Sequence, residues 1–339
     1  MKVFPNYSLL HLNTFGIDTS ALYFSEIDTE EGFLEMLEEK KYKDIPKLIL
    51  GGGSNLLFTK AKLEYLVLKN NIPGIRKIRE DQDHVYICAG AGENWHGLVQ
   101  YCIAHNYGGI ENLSLIPGNT GAGPMQNIGA YGVELKDTFY ELEALHIHDK
   151  RKDIFNAEQC RFGYRESVFK KELKGQYIIT SVTLRLDKKP KFNTAYGAIG
   201  QELDKMGIKE LSLEAIGKAV CNIRTSKLPD PAQIGNAGSF FKNPEITVQK
   251  FQTLLTRFPS MVNYPLANGN VKLAAGWLIE QCGWKGKSAG NAGVHSLQAL
   301  VLVNNGKARG EEIYNLSQQV LDSVQEKFDI LLEREVNII

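Results

Sequence analysis

The sequence predicts a mixed α and β fold in more than one compact unit, on three observations. Short apolar runs alternate with amphipathic helical stretches. Two of these runs lead straight into glycine-rich loops, the mark of strands that end in tight turns. The chain's 339 residues exceed a single core of roughly 150 residues, so two or three units are expected.

Asp28 followed by Glu31 has the spacing of a capping box and predicts a helix through TEEGFLEMLEEKKYKD (29–44), with Phe33, Met36 and Leu37 as its apolar stripe. KLIL (47–50) is a strand that enters the loop GGGSNLLF (51–58). HVYICAGAGENWHGLVQYCIAHN repeats the pattern: a strand to Cys88, a glycine turn, then a helix with Trp95, Leu98, Val99, Cys102 and Ile103 on one face. A second glycine-rich loop follows in IPGNTGAGPMQNIGAYG (116–132), and QYIITSVTLRL (176–186) is a strand. The prolines of LPDP (228–231) mark a boundary. Beyond it, VKLAAGWLIEQCGW (271–284) and GEEIYNLSQQVLDSVQEKFD (310–329) have helical spacing. The last ten residues, ILLEREVNII, read as an extended tail strand with Glu333, Glu335 and Asn337 on one face and Leu332, Arg334 and Val336 on the other. No fixed-period repeat or low-complexity tract occurs.

Composition excludes several classes. The 39 basic residues balance 39 acidic ones, so neither nucleic acid nor a membrane surface is expected as a partner through bulk charge. Cys88, Cys102, Cys160, Cys221 and Cys282 are dispersed, the closest pair 14 apart (102 minus 88). That leaves no C-x-x-C redox or zinc pair and suits a reducing compartment. The start, MKVFPNYSLLHLNTFG, lacks an apolar core followed by a small-residue cleavage site, and no stretch approaches ~20 uncharged apolar residues. A cytoplasmic protein with nothing to remove is expected.

The motifs narrow the chemistry. Neither GGGSNL nor GAGENW completes G-x-G-x-x-G, so a dinucleotide crossing a doubly wound sheet is not supported. Gly286-Lys287-Ser288 fails as a phosphate loop because Gln281 stands where its first glycine is required. Two loops rich in glycine with Ser, Thr or Asn remain. Consecutive N–H groups in such loops form anion-binding nests, and a pair of them suits the two phosphates of one dinucleotide; each alone also reads as a tight turn. His146 and His148 share a strand face but have no third ligand nearby, and no metal is expected. In CRFGYRES, Arg161, Arg165 and Glu166 offer either a fork for a carboxylate or phosphate or a surface ion pair. Arg224 and Lys227 in RTSKLPDP add little alone. Ser239 in GNAGSFFKNP lacks the second glycine of a hydrolase nucleophile elbow and needs another role, if it has one.

Taken in order, NTFGI (13–17), LILGGGSNLLF, AGAGENWHGLV, ENLSLIPGNTGAGPMQNIGAYGVEL, CRFGYRESVFK, RTSKLPDP, GNAGSFFKNP, VKLAAGWLIEQCGWKG, VHSLQALVL and the terminal LEREV resemble the signature segments of the bacterial UDP-N-acetylenolpyruvoylglucosamine reductase family, across most of the chain. The resemblance implies an α+β fold: the FAD-binding fold of the vanillyl-alcohol oxidase (PCMH) class in two subdomains, 1–70 with 328–339 and 71–220, plus an α+β substrate-binding domain at 226–325. It implies an NADPH-dependent reductase that converts UDP-N-acetyl-3-O-(1-carboxyvinyl)glucosamine to UDP-N-acetylmuramate in peptidoglycan precursor synthesis. Its cofactor would be FAD, held non-covalently because neither glycine loop contains a histidine or cysteine to tether it. The partners would be the UDP-sugar and NADPH, with no nucleic acid and no membrane, and a monomer is the expectation.

Carried over by position, the flavin site comprises Gly51, Gly53, Ser54, Asn55, Pro117, Gly118, Gln126, Asn127, Ile128 and Gly129. The family's catalytic trio falls on Arg165 of YRES, Ser239 of GSFF and Glu335 of REV. Tyr196 of NTAYG resembles the tyrosine of the subtype in which that residue closes over the substrate's diphosphate, and Lys227, Asn243 and Gln298 match positions that contact substrate. Arg334 stands where a proline is common, and Asn337 where a basic residue occurs. Another flavin oxidoreductase of the same fold, such as an alcohol oxidase, and a non-catalytic nucleotide-sugar binding protein are the competing readings.

Overall fold

The computed structural model describes residues 2–195 and 197–339. They group into two compact units: one of residues 1–7, 21–52 and 63–226, the other of residues 8–20, 53–62 and 227–339.

A five-stranded sheet organises the first unit. Its strands run in the order Lys152–Asn156, Phe139–His146, Tyr177–Asp187, His84–Gly90, Ile75–Glu80, each antiparallel to its neighbours. Antiparallel neighbours need no crossover helix, which is the topological counterpart of the incomplete dinucleotide fingerprint. The central strand, YIITSVTLRLD, is rich in β-branched residues and buried over most of its length. Helix Trp95–Ala104 lays Trp95, Leu98, Val99 and Cys102 into the core with Val85, Ile87, Leu142 and Val182, while Ile103 is only partly buried. Asn94 caps this helix by accepting the Gly97 N–H at 2.9 Å. Trp95 Nε1 donates to Leu113 O at 3.0 Å, so the buried indole keeps its hydrogen bond.

A second sheet of this unit runs Phe4–Ser8, Ser20–Ile27, Lys62–Asn70, Lys47–Leu50, the last pair parallel. Helix Glu30–Glu38 buries Phe33 and Met36 in the cluster that contains Leu66 and Leu68. Its N-cap is Thr29 rather than the expected Asp28: Thr29 Oγ1 accepts the Gly32 N–H at 3.0 Å, and a hydroxyl cap one residue later wins. The helix also ends early. A single 3-10 turn, Lys40–Tyr42, follows it because Tyr42 turns into the core edge-on to Tyr23, 5.0 Å between centroids. His148 lies in the turn beyond strand Phe139–His146, so the shared strand face expected for His146 and His148 does not form. Helices Gly197–Lys205 and Leu213–Lys227 pack together through Ile199, Leu203, Ile216 and Val220.

In the second unit an antiparallel sheet runs Gly235–Ser239, Val301–Asn304, Ala292–Val294, Ser288–Ala289. A smaller one runs Glu245–Ile246, Val271–Leu273, Asn263–Pro265. The helix expected over 271–284 is therefore a strand for its first three residues. Val271 and Leu273 alternate inward from a strand paired on both edges, and that pairing outweighs the local helical spacing. Helix Ala275–Gln281 begins only afterwards. Helix Gly310–Phe328 buries Ile313, Leu316, Val320, Leu321, Val324 and Phe328 at the expected period. The tail is less regular than one strand because it changes partner along its length. Arg334 bridges antiparallel to Phe241, and Asn337–Ile338 then pair in parallel with Leu56–Leu57. Among the described residues no helix is long and apolar enough to cross a membrane.

Candidate active site

Within the first unit the two glycine-rich loops meet. A Cβ on Gly52 would lie 2.6 Å from Gly118 Cα and 2.9 Å from Asn119 Oδ1, so the backbones are in a contact that only glycine allows. Each loop is held from behind. Lys69 Nζ donates to Gly51 O, and burial, opposed by Glu26, holds its ammonium below the usual lysine range. On the other loop, Gly118 O accepts the Trp95 N–H at 3.0 Å, Thr120 N–H reaches Glu93 O at 2.8 Å, and Asn119 Nδ2 reaches Gly92 O at 2.6 Å. The two braced loops thus meet backbone to backbone at Gly52 and Gly118.

The rest of the second loop is built as firmly. Gln126 Oε1 accepts from Lys170 Nζ at 3.3 Å. Asn127 is fully buried; its Nδ2 donates to Glu134 Oε2 and Gly163 O at 3.1 and 3.0 Å, and its Oδ1 accepts the Lys136 N–H at 3.0 Å. Any service of its side chain to a ligand runs through the shape of the loop. Ile128 N–H reaches Gly123 O at 3.2 Å, and Ile128 packs on the core.

CRFGYRES sorts its charges. Arg161 forms an exposed pair with Glu172 at 3.2 Å, and Glu166 pairs with Lys171. Arg165 donates from Nη2 to Gly129 O at 2.6 Å. Its φ of 57° lies in the left-handed region, inside the tight turn closed by Gly163 and Glu166. Such strain in a non-glycine residue clusters at functional positions, whereas exposed pairs contribute little stability. Nearby in sequence to Pro117, Leu115 (φ 58°) is gripped from both sides: its N–H donates to His96 Nδ1 at 2.9 Å, and its carbonyl accepts from Arg224 Nε at 3.2 Å. Burial, then the adjacent Arg224 cation, holds His96 below the usual imidazole range. Burial likewise lowers the Arg224 guanidinium, against the opposing pull of Tyr131 and Cys221.

The second unit holds the other predicted residues. Ser239 ends strand Gly235–Ser239, whose register with Val301–Asn304 slips between Asn236 and Ser239. Gly238 sits in this bulge at φ 69°, its N–H held by Asn236 Oδ1 at 2.9 Å. A bulge re-aims the side chain that follows it, which is the use of the glycine before Ser239. Phe240 and Phe241 are core residues, 0% and 1% exposed, with Phe240 edge-on to Phe15. Their backbone receives the tail: Glu335 N–H donates to Phe240 O at 2.8 Å, and Lys242 N–H donates to Glu333 O at 2.8 Å. Ser239 and Glu335, 96 positions apart (335 minus 239), thus lie on adjoining extended segments.

Ser54 and Asn55 follow Gly53, which has φ 64°. Asn55 Nδ2 donates to Glu335 O at 3.4 Å, and Asn55 O accepts both the N–H and the Nδ2 of Asn337 at 3.1 Å. Asn337 therefore fastens the tail to the segment of the first glycine loop. Asn243 Oδ1 accepts the Ala275 N–H at 2.9 Å, and Gln298 Oε1 lies 3.1 Å from where a Cβ on Gly276 would sit. The two meet at the first turn of helix Ala275–Gln281. Lys227 is exposed, and Tyr196 lies outside the described residues.

Residues 22–149 match the family model of an FAD binding domain, and residues 230–339 match that of the UDP-N-acetylenolpyruvoylglucosamine reductase C-terminal domain. Over its whole length the chain is 51% identical to the UDP-N-acetylenolpyruvoylglucosamine reductase of Amoebophilus asiaticus, covering 100% of both. The chain belongs to the UDP-N-acetylenolpyruvoylglucosamine reductase family. It is also 49% identical to the reductase of that name from Flavobacterium johnsoniae, again over 100% of both chains. The crystal structure of the Thermus caldophilus reductase (MurB) has the same fold, with a TM-score of 0.67 at 24% identity over 99% of this chain and 98% of that one. The α+β, FAD-binding fold class expected from the sequence is therefore the fold of this reductase.

Sequence motifs passed over three residues that brace its loops: Lys69, His96 and Asn119. Asn119 sits within P-G-N-T and carries the weak signal of an amide beside a tight turn. Lys69 and His96 have no local signal, because Gly51 and Leu115 are 18 and 19 positions away.

Proposed function

We propose that the chain reduces UDP-N-acetyl-3-O-(1-carboxyvinyl)glucosamine to UDP-N-acetylmuramate with NADPH, a step of peptidoglycan precursor synthesis. The observation that carries this reading is 51% identity, end to end, to a reductase named for that substrate. FAD is the cofactor, as the match of residues 22–149 to an FAD binding domain supports, and the glycine backbones that meet at Gly52 and Gly118 hold together the two loops that would carry it. When bound, FAD supplies the hydride chemistry that links NADPH to the enolpyruvyl group. Gly51, Gly53, Ser54, Asn55, Pro117, Gly118, Gln126, Asn127, Ile128 and Gly129 hold it without a covalent bond.

The chain's own residues do the rest. Reduction of the enolpyruvyl ether adds hydride at its CH2 carbon and a proton at the carbon that bears oxygen and carboxylate. Between the two additions, negative charge spreads toward the carboxylate. Arg165 presents a planar, forked cation to it, and Glu335 shares a hydrogen bond as the charge builds. The anionic carbon then needs a proton from a fixed direction. A hydroxyl is a weak acid, yet a strongly basic carbon is an easy acceptor, so Ser239 on its bulge serves as the proton donor. Lys227, Asn243 and Gln298 bind the nucleotide sugar, and Tyr196 closes over its diphosphate.

The working division of the chain is 1–70 with 328–339, 71–220 and 226–325. It is supported by the pairing of Asn337–Ile338 with Leu56–Leu57 and by a five-stranded sheet confined to residues 75–187. The enzyme works as a monomer in the cytoplasm, a setting supported by five free cysteines and balanced charge.

One visible spectrum and one assay test the reading. The purified chain should be yellow and should oxidise NADPH only when the enolpyruvyl sugar nucleotide is present. A colourless protein would favour a binding role, and flavin reoxidised rapidly by oxygen without that acceptor would favour an oxidase.

A further inference from the structure

We infer that Arg334 is a positioning residue that sets the direction of Glu335; this rests on the reading that Glu335 acts on the substrate. In extended backbone, neighbouring side chains point to opposite faces, so what holds residue 334 orients residue 335. Arg334 is held by three groups of helix Gly310–Phe328. Its Nε donates to Ser317 Oγ at 2.8 Å, its Nη2 donates to Gln318 Oε1 at 2.8 Å, and its guanidinium carbon lies 4.6 Å from the centre of the Tyr314 ring. Ser317 is itself fully buried, and its hydroxyl donates to Tyr314 O at 2.6 Å, so the anchor is part of the helix and not a mobile surface group. Leu332 and Val336, two positions to either side, are each 3% exposed.

The opposite face carries Glu333 and Glu335. There Glu333 Oε1 pairs at 2.8 Å with Lys242, itself 5% exposed, and the Glu335 N–H is fastened to Phe240 O at 2.8 Å. Backbone bonds hold the segment at its depth; Arg334 stops it from rolling about its own axis. Lysine is a poor substitute, because an ammonium on a flexible stem cannot reach two acceptors on adjacent residues while also lying over a ring. A proline at this position has no side chain that reaches the helix. In this chain the orientation of the tail therefore comes from a side chain where backbone stiffness would otherwise supply it.

Loss of the anchor should leave Glu335 present but misdirected, and an error of about 1 Å in a positioned group costs on the order of 10²-fold. The test uses the holoenzyme with Arg334→Ala, Arg334→Lys, Glu335→Gln and the double variant Arg334→Ala/Glu335→Gln, measured in separate half-reactions. Arg334→Ala is expected to slow reoxidation of reduced flavin by the enolpyruvyl sugar about 10-fold to 10²-fold. Reduction by NADPH should stay within about twofold, and hydrogen exchange at the Glu335 amide should stay slow, which shows the segment still docked. The decisive result is non-additivity: the double variant is no slower than Glu335→Gln alone. Should Arg334→Ala fail to fold, Arg334→Lys, expected to lose part of the same rate, replaces it in the cycle. Additive losses, or Arg334 variants that turn over at the parental rate while Glu335→Gln is slow, overturn the inference. A Glu335→Gln enzyme as fast as the parent overturns the role of Glu335 and the inference with it.

Discussion

Ser239 and His96 show how single side chains take their meaning from what holds them. As the proposed proton donor, Ser239 would act only after the flavin has been reduced, so Ser239→Ala should leave NADPH-driven bleaching close to the parental rate. Reoxidation by the enolpyruvyl substrate should slow by roughly 10² to 10⁴-fold, the scale of losing a positioned acid. Stopped-flow absorbance that found the reduction step impaired instead would make Ser239 a structural residue. His96 carries a pH dependence. Its folded pKa lies below its unfolded value of about 6.5, so between the two the unfolded chain binds more protons. Stability is then full above about 6.5, is lost as pH falls through that window, and levels off once the folded protein is protonated too. Thermal melts from pH 7.5 to 5 should show this loss, and His96→Gln, which keeps an acceptor for the Leu115 N–H, should flatten it. Subtracting variant from parent removes the separate effects of His295, also lowered by burial, and of Glu111, raised by it. Parallel curves would clear His96 of the effect. Neither role of these side chains was legible by itself: a serine after glycine is common, and the bulge that re-aims Ser239 exists only once its strand pairs with Val301–Asn304.

Among the elements, the tail contributes more than its size suggests. It pairs with Leu56–Leu57, receives the Thr59 N–H on Ile339 O at 2.8 Å, and bonds to Asn55 and Lys242. If Ser54 and Asn55 hold FAD as proposed, removal of residues 330–339 should weaken FAD retention as well as abolish turnover. Flavin content after gel filtration, together with an NADPH assay, checks both. A truncated enzyme with undiminished activity would remove the tail from the site. Helices were the most legible elements, since residues 95–104 and 310–328 bury their stripes at the period their sequences show. The segment 271–273 was not, because three residues of strand take their state from two neighbouring strands rather than from local spacing.

At the scale of the whole molecule, the cofactor and the chemistry follow from loops that carry no reactive side chain. With no histidine or cysteine in either loop, acid precipitation should release all the yellow colour into the supernatant; flavin left in the pellet would show a covalent link. The sequence by itself determined the mixed α and β class, the two glycine loops, the failure of the Rossmann fingerprint and the ordered segments that mark the family, because composition, period and motif are local properties. Only tertiary structure decided that Gly52 lies against Gly118, that Arg165 bonds Gly129, and that Glu335 arrives beside Phe240 with Arg334 anchored behind it. Those contacts join residues from 17 to 95 positions apart (334 minus 317; 335 minus 240), and strand pairing and core packing over the whole unit choose such partners, not the propensities of the residues themselves.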